Sequence, residues 1–163
     1  MDQKYQNTHV KLLAADLLSL KQIRNFFSSS DPISFSHTNK SFSRTEILGT
    51  VTSREHKPNR FLKFTIDDGT GCVTCILWLN QLTSPYFSRR STPSVRLIAE
   101  MATHFASIVK IGLVARVRGR ITSYRGVIQI TVADVVIERD PNTEILHWLQ
   151  CIKLARNCYD VTT

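Results

Sequence analysis

Apolar and polar residues alternate on both sides of one short turn, and this pattern is the clearest structural signal in the chain. The apolar positions that should face a core are Leu62, Phe64 and Ile66 before the turn and Val73, Cys75, Leu77 and Leu79 after it. The turn contains an Asp-Gly pair, and Gly69 and Gly71 can adopt positive φ without strain. The pattern predicts a tight β-hairpin whose second strand ends at Trp78.

The other face of this hairpin carries the first candidate chemistry. Phe61 and Lys63 on the incoming strand and Trp78 on the returning strand fall on the side away from the core. An aromatic ring on an open strand face can stack on the bases of a single-stranded nucleic acid. The alternative is that Trp78 packs under a loop or a neighbouring subunit, because large aromatic side chains near strand ends are usually buried.

The spacing of apolar residues also predicts the other elements. They are an amphipathic helix over Val10–Phe26 (Val10, Leu13, Leu17, Leu20), an irregular Ser-rich arm over Ser28–Ser43, a strand over Thr45–Glu55, a polar loop over Gln81–Pro93, a helix over Val95–Val109, strands over Leu113–Tyr124 and Val127–Glu138, and a helix over Asn142–Tyr159. Three strands, a helix and two strands is the order of an OB-fold, a five-stranded Greek-key barrel. We expect a mainly β chain with an N-terminal helix and arm (1–43), the barrel (44–139) and a C-terminal helix (140–163).

The predicted fourth strand carries the strongest basic pattern. Arg116, Arg118 and Arg120 alternate with apolar residues and share one side with Thr122 and Tyr124. Arginine contacts phosphate and stacks on bases, so this pattern favours a nucleic-acid surface. A solvated strand face, or an edge that forms salt bridges with a partner, would look the same in the sequence.

Composition sets the limits of this interpretation. The 163 residues are 42% hydrophobic, which suits one globular domain with a single core. Twenty-one Lys and Arg against thirteen Asp and Glu give a net charge of +8, which favours polyanionic partners. The longest apolar run is far shorter than the ~20 residues of a membrane span, and the N-terminus lacks the layout of a secretion signal. We expect an intracellular protein.

The four cysteines are candidate metal ligands. Cys72 and Cys75 have CxxC spacing, but neighbours at that spacing in a strand point to opposite faces and cannot share one zinc ion. Cys151 and Cys158 lie seven residues apart on the predicted third helix. Neither a metal nor another cofactor is expected.

A metal-dependent nuclease is the enzymatic alternative. Asp67 and Asp68 are adjacent carboxylates that could be combined with His56 or His104. Adjacent strand residues point to opposite faces, however, and Asp-Gly is the sequence that the hairpin turn needs in any case. No phosphate loop, HExxH or GxSxG motif is present. The sequence therefore favours a non-enzymatic protein.

Several segments together resemble a known family, the Stn subunit of the CST (Ctc, Stn, Ten) complex. They are ILGTV (Ile47–Val51), TIDDGTGCVTCILW (Thr65–Trp78), ARVRGRITSYR (Ala115–Arg125) and LARNCYD (Leu154–Asp160). The resemblance covers nearly the full chain and is to the compact plant form; the winged-helix domains of animal and yeast members have no counterpart here. It implies a nuclear, telomeric protein that binds G-rich single-stranded DNA, caps chromosome ends and supports fill-in of the complementary strand.

The resemblance also implies roles for individual residues. Trp78 and Tyr124 would stack on bases, and Arg118, Arg120 and Arg125 would contact phosphates. Thr122 stands where animal relatives carry a basic residue. The third helix would pair with a Ten-type subunit through Ile145, Trp148, Leu149, Ile152 and Tyr159.

Other partners and two other functions stay open. DNA polymerase alpha-primase and a Ctc-type large subunit are the further partners that the resemblance implies. The first alternative function is that of a middle-type subunit of replication protein A in general DNA replication and repair. The second is a protein-interaction adaptor without direct DNA contact. The third helix has its own alternative, in which it simply closes one end of the barrel.

Overall fold

The predicted hairpin is present in the computed structural model, which describes residues 8–23, 34–37 and 40–159. Strands β6 (Phe61–Asp67) and β7 (Cys72–Trp78) pair antiparallel from Phe61 opposite Trp78 to Asp67 opposite Cys72. Gly69 in the turn has a φ of 84°. The alternating apolar positions of both strands are buried and Leu79 packs against them, so the predicted core face is confirmed.

Three more strands close the sheet into a barrel. They are β5 (Arg44–Lys57), β8 (Val114–Tyr124) and β9 (Val127–Glu138). The neighbours run β5-β6-β7-β9-β8, and β5 also pairs with β8; β7 and β9 are parallel and the other pairs are antiparallel. Closure without a free edge in this strand order is the OB-fold topology that the sequence predicts.

Two glycines lie where the barrel backbone is crowded. A Cβ at Gly119 would stand 2.2 Å from the carbonyl oxygen of Thr131, next to a register shift between β8 and β9. A Cβ at Gly49 would stand 2.4 Å from the carbonyl oxygen of Asp67. Only glycine fits this close backbone approach, which lets the strands coil around the small barrel.

Helix α2 (Thr92–Ile108) connects β7 to β8 and packs on the core through Ala102 and Ala106. It begins three residues before the predicted start because Pro93 fits the first turn of a helix. Its last carbonyls accept hydrogen bonds from the Arg54 side chain, at 3.1 Å for Ala106 and 3.0 Å for Val109. A single arginine of β5 therefore caps the carboxyl end of α2.

The predicted N-terminal helix is wrong in most of its described length. The chain forms strand β1 (Val10–Lys11), a five-residue helix α1 (Ala14–Leu18) and strand β2 (Lys21–Ile23); residues 24–26 lie outside the described residues. Val10 and Leu12 are both buried, which is the alternation of a strand, and β1 pairs parallel with β5. This pairing with the barrel overrides the helical spacing. The boundaries proposed at 43/44 and 139/140 stay a prediction.

The Ser-rich arm is also more regular than predicted. Strands β3 (Ser34–His37) and β4 (Lys40–Phe42) form a three-stranded antiparallel sheet with β2. The rest of the predicted arm before β3, and residues 38 and 39, lie outside the described residues. Short strands rich in serine do not show the apolar alternation on which sequence reasoning depends.

Helix α3 (Asn142–Leu154) continues into a π-helical turn (Ala155–Tyr159) and lies against β1 and β5. Its buried side chains are His147 and Cys151. The Trp148 ring lies over the hairpin turn, with Cζ2 3.5 Å from the place of a Cβ at Gly69. The same hairpin thus carries Trp78 at one end and supports α3 at the other.

Candidate nucleic-acid interface

An aromatic platform lies at the open end of the hairpin. Phe61 and Trp78 are direct cross-strand neighbours, with ring centroids 6.1 Å apart and planes at 78°. Trp78 is 45% exposed, and the Lys57 ammonium lies 5.3 Å from the centroid of Phe61. The described residues therefore leave nearly half of the Trp78 side chain uncovered. An edge-to-face pair holds the indole in place and leaves ring surface open for stacking.

A second exposed aromatic stands at the turn between β8 and β9. Tyr124 is 59% exposed, and the Arg125 guanidinium carbon lies 5.3 Å from its ring centroid. Arg125 and Gly126 have φ angles of 51° and 79°, as a two-residue hairpin turn requires. An aromatic ring and a cation therefore lie together at this loop, and their contact with DNA stays a prediction.

The outward faces of five strands form one continuous row across the barrel. Adjacent cross-strand partners in this row are Lys63, Ile76, Thr131, Arg120 and Arg44. Lys63 and Arg120 are exposed, as predicted from their alternation. At one end of the row, Lys63 and Ile76 are the next cross-strand pair after Phe61 and Trp78 on the same face. At the other end lie Arg120 and Arg44.

Arg118 differs from the other predicted phosphate contacts because it has carboxylate partners. Its Nε donates to Glu46 at 2.6 Å, and its guanidinium lies 4.0 Å from Asp134. The hydrogen bond and charge of Glu46 raise the pKa of Arg118. The structure shows an ion pair within the chain at Arg118, which the sequence interpretation did not anticipate, and contact of Arg118 with phosphate stays a prediction.

Glu46 is a residue that the sequence interpretation missed. It is 3% exposed and lies 3.7 Å from Lys11 Nζ, 4.0 Å from Arg116 Nε and 4.0 Å from His147 Nδ1. This carboxylate therefore joins β1, β8 and α3 to β5. The sequence feature that could have identified Glu46 is an acidic residue in a strand that is otherwise buried, because a buried charge needs cationic partners.

A cavity of about 770 Å³ opens beside the aromatic platform. Its aromatic wall includes Trp78, Tyr86 and Phe87, and its basic lining includes Arg44, Arg90 and Arg120. Tyr86, Phe87 and Arg90 belong to the loop that the sequence interpretation treated only as polar. The loop folds as a 3-10 turn over Pro85–Phe87, and the Arg90 guanidinium lies 5.6 Å from the Phe87 ring centroid. The sequence feature that could have identified this part of the cavity wall is the presence of aromatic residues inside a predicted loop.

The two turn aspartates hold backbone groups. Asp67 accepts a hydrogen bond from Gly69 N at 2.8 Å. Asp68 accepts from Thr70 N, Thr70 Oγ1 and Ala14 N at 2.9, 2.6 and 2.8 Å. Among residues 8–23, 34–37 and 40–159, no three His, Cys, Asp or Glu side chains group as metal ligands. Cys72 is exposed and Cys75 buried, in agreement with their prediction on opposite faces.

The outward face of α3 is apolar. Ile145, Trp148, Leu149 and Ile152 are 64%, 39%, 60% and 37% exposed, and Leu146 is 56% exposed. The side chain of Tyr159 lies outside the described part of the chain. Since His147 and Cys151 point to the barrel, the helix presents a separate apolar strip that its own barrel leaves uncovered. Of the described helices, none has the length and hydropathy of a membrane span.

The chain matches known proteins in both sequence and structure. Residues 45–138 match the family model of the OB-fold nucleic acid binding domain. The CST complex subunit STN1 of Arabidopsis thaliana is 54% identical over 162 residues, which cover 99% of this chain and 98% of that protein. The STN1 subunit of Ailuropoda melanoleuca is 29% identical over 162 residues; the match covers 92% of this chain and 41% of that protein.

Solved structures share the fold. The Stn1 and Ten1 complex of S. pombe contains a chain that superposes with a TM-score of 0.71 at 15% identity, covering 93% of this chain and 94% of that one. A chain of a replication protein A heterotrimer bound to single-stranded DNA superposes with a TM-score of 0.68 at 15% identity, covering 92% and 97%. By its sequence match over the whole length, and with an OB-fold nucleic acid binding domain at its centre, this chain belongs to the STN1 family of CST complex subunits.

Proposed function

We propose that the chain is a non-enzymatic subunit of a telomere-capping complex that binds G-rich single-stranded DNA through its barrel. The strand would lie over the Phe61–Trp78 platform and along the cavity beside it, with Tyr124 and Arg125 contacting it at the loop between β8 and β9. Lys63 would supply positive charge next to the platform. In the nucleus, at chromosome ends, this binding would support capping and fill-in of the complementary strand.

The observation that carries this proposal is the exposed Trp78 ring beside a basic cavity. Stacking on an aromatic ring suits any base, and arginines that line the same groove attract the backbone. Edge-to-face contact with Phe61 at 6.1 Å fixes the indole before the strand arrives. A preformed platform lowers the ordering cost of binding.

The test is fluorescence anisotropy of a labelled G-rich telomeric oligonucleotide at low salt, with unlabelled duplex as competitor. We expect saturable binding that duplex does not displace and that Trp78→Ala weakens by about 1–3 kcal/mol. Ile111→Ala is the control, since Ile111 is 63% exposed and does not line the cavity. Equal weakening by both variants, or equal competition by duplex, would contradict a single-strand platform.

The apolar strip of α3 supports a second part of the proposal, which is an association with a Ten-type OB-fold subunit. A strip of large apolar side chains that the chain's own barrel leaves uncovered is typical of a protein interface. The S. pombe complex pairs a chain of this fold with Ten1. Assembly with a Ctc-type large subunit, and contact with DNA polymerase alpha-primase, are proposed from family membership.

A general replication role is the second candidate. One 32 kDa subunit of replication protein A from Arabidopsis thaliana is 27% identical over 136 residues, which cover 83% of this chain and 42% of that protein. Competition between telomeric and random-sequence oligonucleotides separates the two roles, because a general replication protein would bind both alike. The adaptor alternative predicts that Trp78→Ala and Tyr124→Ala leave DNA binding of the assembled complex unchanged.

A further inference from the structure

Three arginines of β8 share one face, and two of them have carboxylate partners. Arg116 contacts Glu138 and Glu46, and Arg118 contacts Glu46 and Asp134. Arg120 is the next residue of this face. Its side chain is exposed and forms no ion pair or hydrogen bond with the described part of the chain. Among the described residues, carboxylates therefore pair with Arg116 and Arg118 but not with Arg120.

The cross-strand neighbour of Arg120 is a second arginine. Arg44 begins β5 and stands directly opposite Arg120 in the register that places Glu46 opposite Arg118. Arg44 likewise forms no ion pair with any residue that the structure describes. Like charges in directly opposite positions repel each other. Two unpaired guanidinium groups held side by side by the backbone form a site that a shared anion would stabilise.

The surroundings of the pair add positive potential and a place for the anion. Both arginines line the cavity that Trp78 also lines, and His9 lies in the same lining. The pKa of His9 is lowered by burial and by the charges of Arg44 and Arg118. Strand β9 lies between β7, which carries Trp78, and β8, which carries Arg120. The two outer strands are therefore two strand spacings apart, which is about 10 Å.

We propose that Arg44 and Arg120 form one phosphate-binding site that holds a single phosphodiester of the strand whose base stacks on Trp78. Both guanidinium groups would donate hydrogen bonds to the same phosphate. The negative charge of the phosphate would offset the repulsion between the two arginines. The identity of the ligand, a single-stranded DNA, rests on the proposed function. The existence of the site rests on the two adjacent arginines that have no carboxylate partner in the described part of the chain. It assigns Arg44, a residue outside the hairpin and the loops, to DNA binding.

The first test is the salt dependence of binding to the labelled G-rich oligonucleotide. Each neutralised phosphate of a single strand contributes about 0.7 to the slope of log K against log salt. We expect the double variant Arg44→Gln/Arg120→Gln to lower the slope by about 0.7, the contribution of one phosphate, and each single variant to lower it by less, because the remaining guanidinium still contacts that phosphate. Arg96→Gln on α2 removes the same charge outside the cavity lining and should leave the slope unchanged.

Two outcomes of this titration would overturn the site. A fall of about 1.4 in the double variant would show two separate phosphate contacts. A slope of the double variant equal to that of Arg96→Gln would show that neither Arg44 nor Arg120 contacts a phosphate. If Trp78→Ala still weakens binding in that case, the proposed function stands and the arginine site falls.

A second arm applies even if the isolated chain does not bind DNA. Inorganic pyrophosphate should raise the urea midpoint of the wild-type chain and of Arg96→Gln, but not that of Arg44→Gln or Arg120→Gln. Equal midpoint shifts in all four proteins, or none, would overturn the site. As a check on folding, the Arg44 and Arg120 variants should not fall below the wild-type midpoint without pyrophosphate, because each removes the repulsion between the two arginines, whereas Arg118→Gln should lower it.

Discussion

The Asp68 carboxylate accepts a hydrogen bond from the backbone amide of Ala14, with 2.8 Å between Oδ2 and N. Ala14 is the first residue of α1, and Leu13 before it offers no side-chain cap. A residue 54 positions away therefore caps this helix, and does so from the turn of the β6–β7 hairpin. The N-terminal segment is attached to the barrel through the same turn that the sequence identifies most clearly.

Asp68→Ala should lower the free energy of unfolding by about 1–3 kcal/mol, because it leaves the buried Ala14 and Thr70 donors without their acceptor. Asp67→Ala should cost less, since the Gly69 amide that Asp67 accepts from is exposed. Urea denaturation of the two variants compares these roles. A larger loss for Asp67→Ala would contradict the assigned hydrogen bonds.

Gly119→Ala should destabilise the barrel by about 1–3 kcal/mol or more, since its Cβ would stand 2.2 Å from Thr131 O and 2.7 Å from Ile130 Cγ2. The matched variant is Gly112→Ala. Gly112 has a φ of 88° but nothing within 4 Å of its Cβ position, so only backbone strain of about 1–2 kcal/mol applies. Thermal and urea unfolding should rank Gly119→Ala as the more damaging change.

The stability of the chain should fall as the pH drops below about 6.5, the ordinary pKa of histidine. Burial lowers the pKa of His147, so the unfolded chain binds a proton that the folded chain refuses. The stabilisation is present above the unfolded pKa and is lost as the pH falls through the folded one. The charged and titratable groups around His147 are Glu46, Lys11, Asp68 and Cys151.

His147→Gln should therefore flatten the decline of the urea midpoint between pH 7 and pH 5. It should not abolish the decline, because burial and Arg44 also lower the pKa of His9. Midpoints measured at several pH values for the wild type and the variant check this. Parallel curves would show that His147 does not titrate differently in the folded state.

Leu149→Glu should leave the free energy of unfolding within about 0.5 kcal/mol of the wild type but prevent association with a Ten-type subunit. Leu149 is 60% exposed, so the isolated chain loses little contact, whereas an apolar interface would have to bury the new charge. Co-purification and size-exclusion chromatography report the association. Leu97→Glu, on the exposed side of α2, is the matched control.

Local patterns were enough to predict the hairpin, the β8–β9 pair and α3. In each case the residues that decide the structure are close in sequence: the Asp-Gly turn, the Arg125–Gly126 turn and the apolar spacing from Ile145 onward. The N-terminal segment was mispredicted because its conformation depends on β5. Val10 pairs with Thr45, and its helical spacing with Leu13 and Leu17 does not reveal that partner.

The candidate site shows the same limit. Trp78, Tyr124 and Arg120 lie on outward faces, as their alternation predicts. The ion pair of Arg118 with Glu46 joins residues 72 positions apart, and Arg44 meets Arg120 through the same pairing of β5 with β8. Without the register of the β5–β8 pairing, the sequence does not distinguish Arg118, which has a carboxylate partner, from Arg44 and Arg120.

The length of the β6–β7 hairpin has a consequence for assembly. Trp78 stands at one end of the hairpin, and Gly69, under the ring of Trp148, stands at the other. Strand β7 leads from the turn to Trp78 over seven residues, which is roughly 20 Å. Under the proposed function, a protein on α3 and a base on Trp78 would therefore contact opposite ends of one hairpin and would not compete for the same residues.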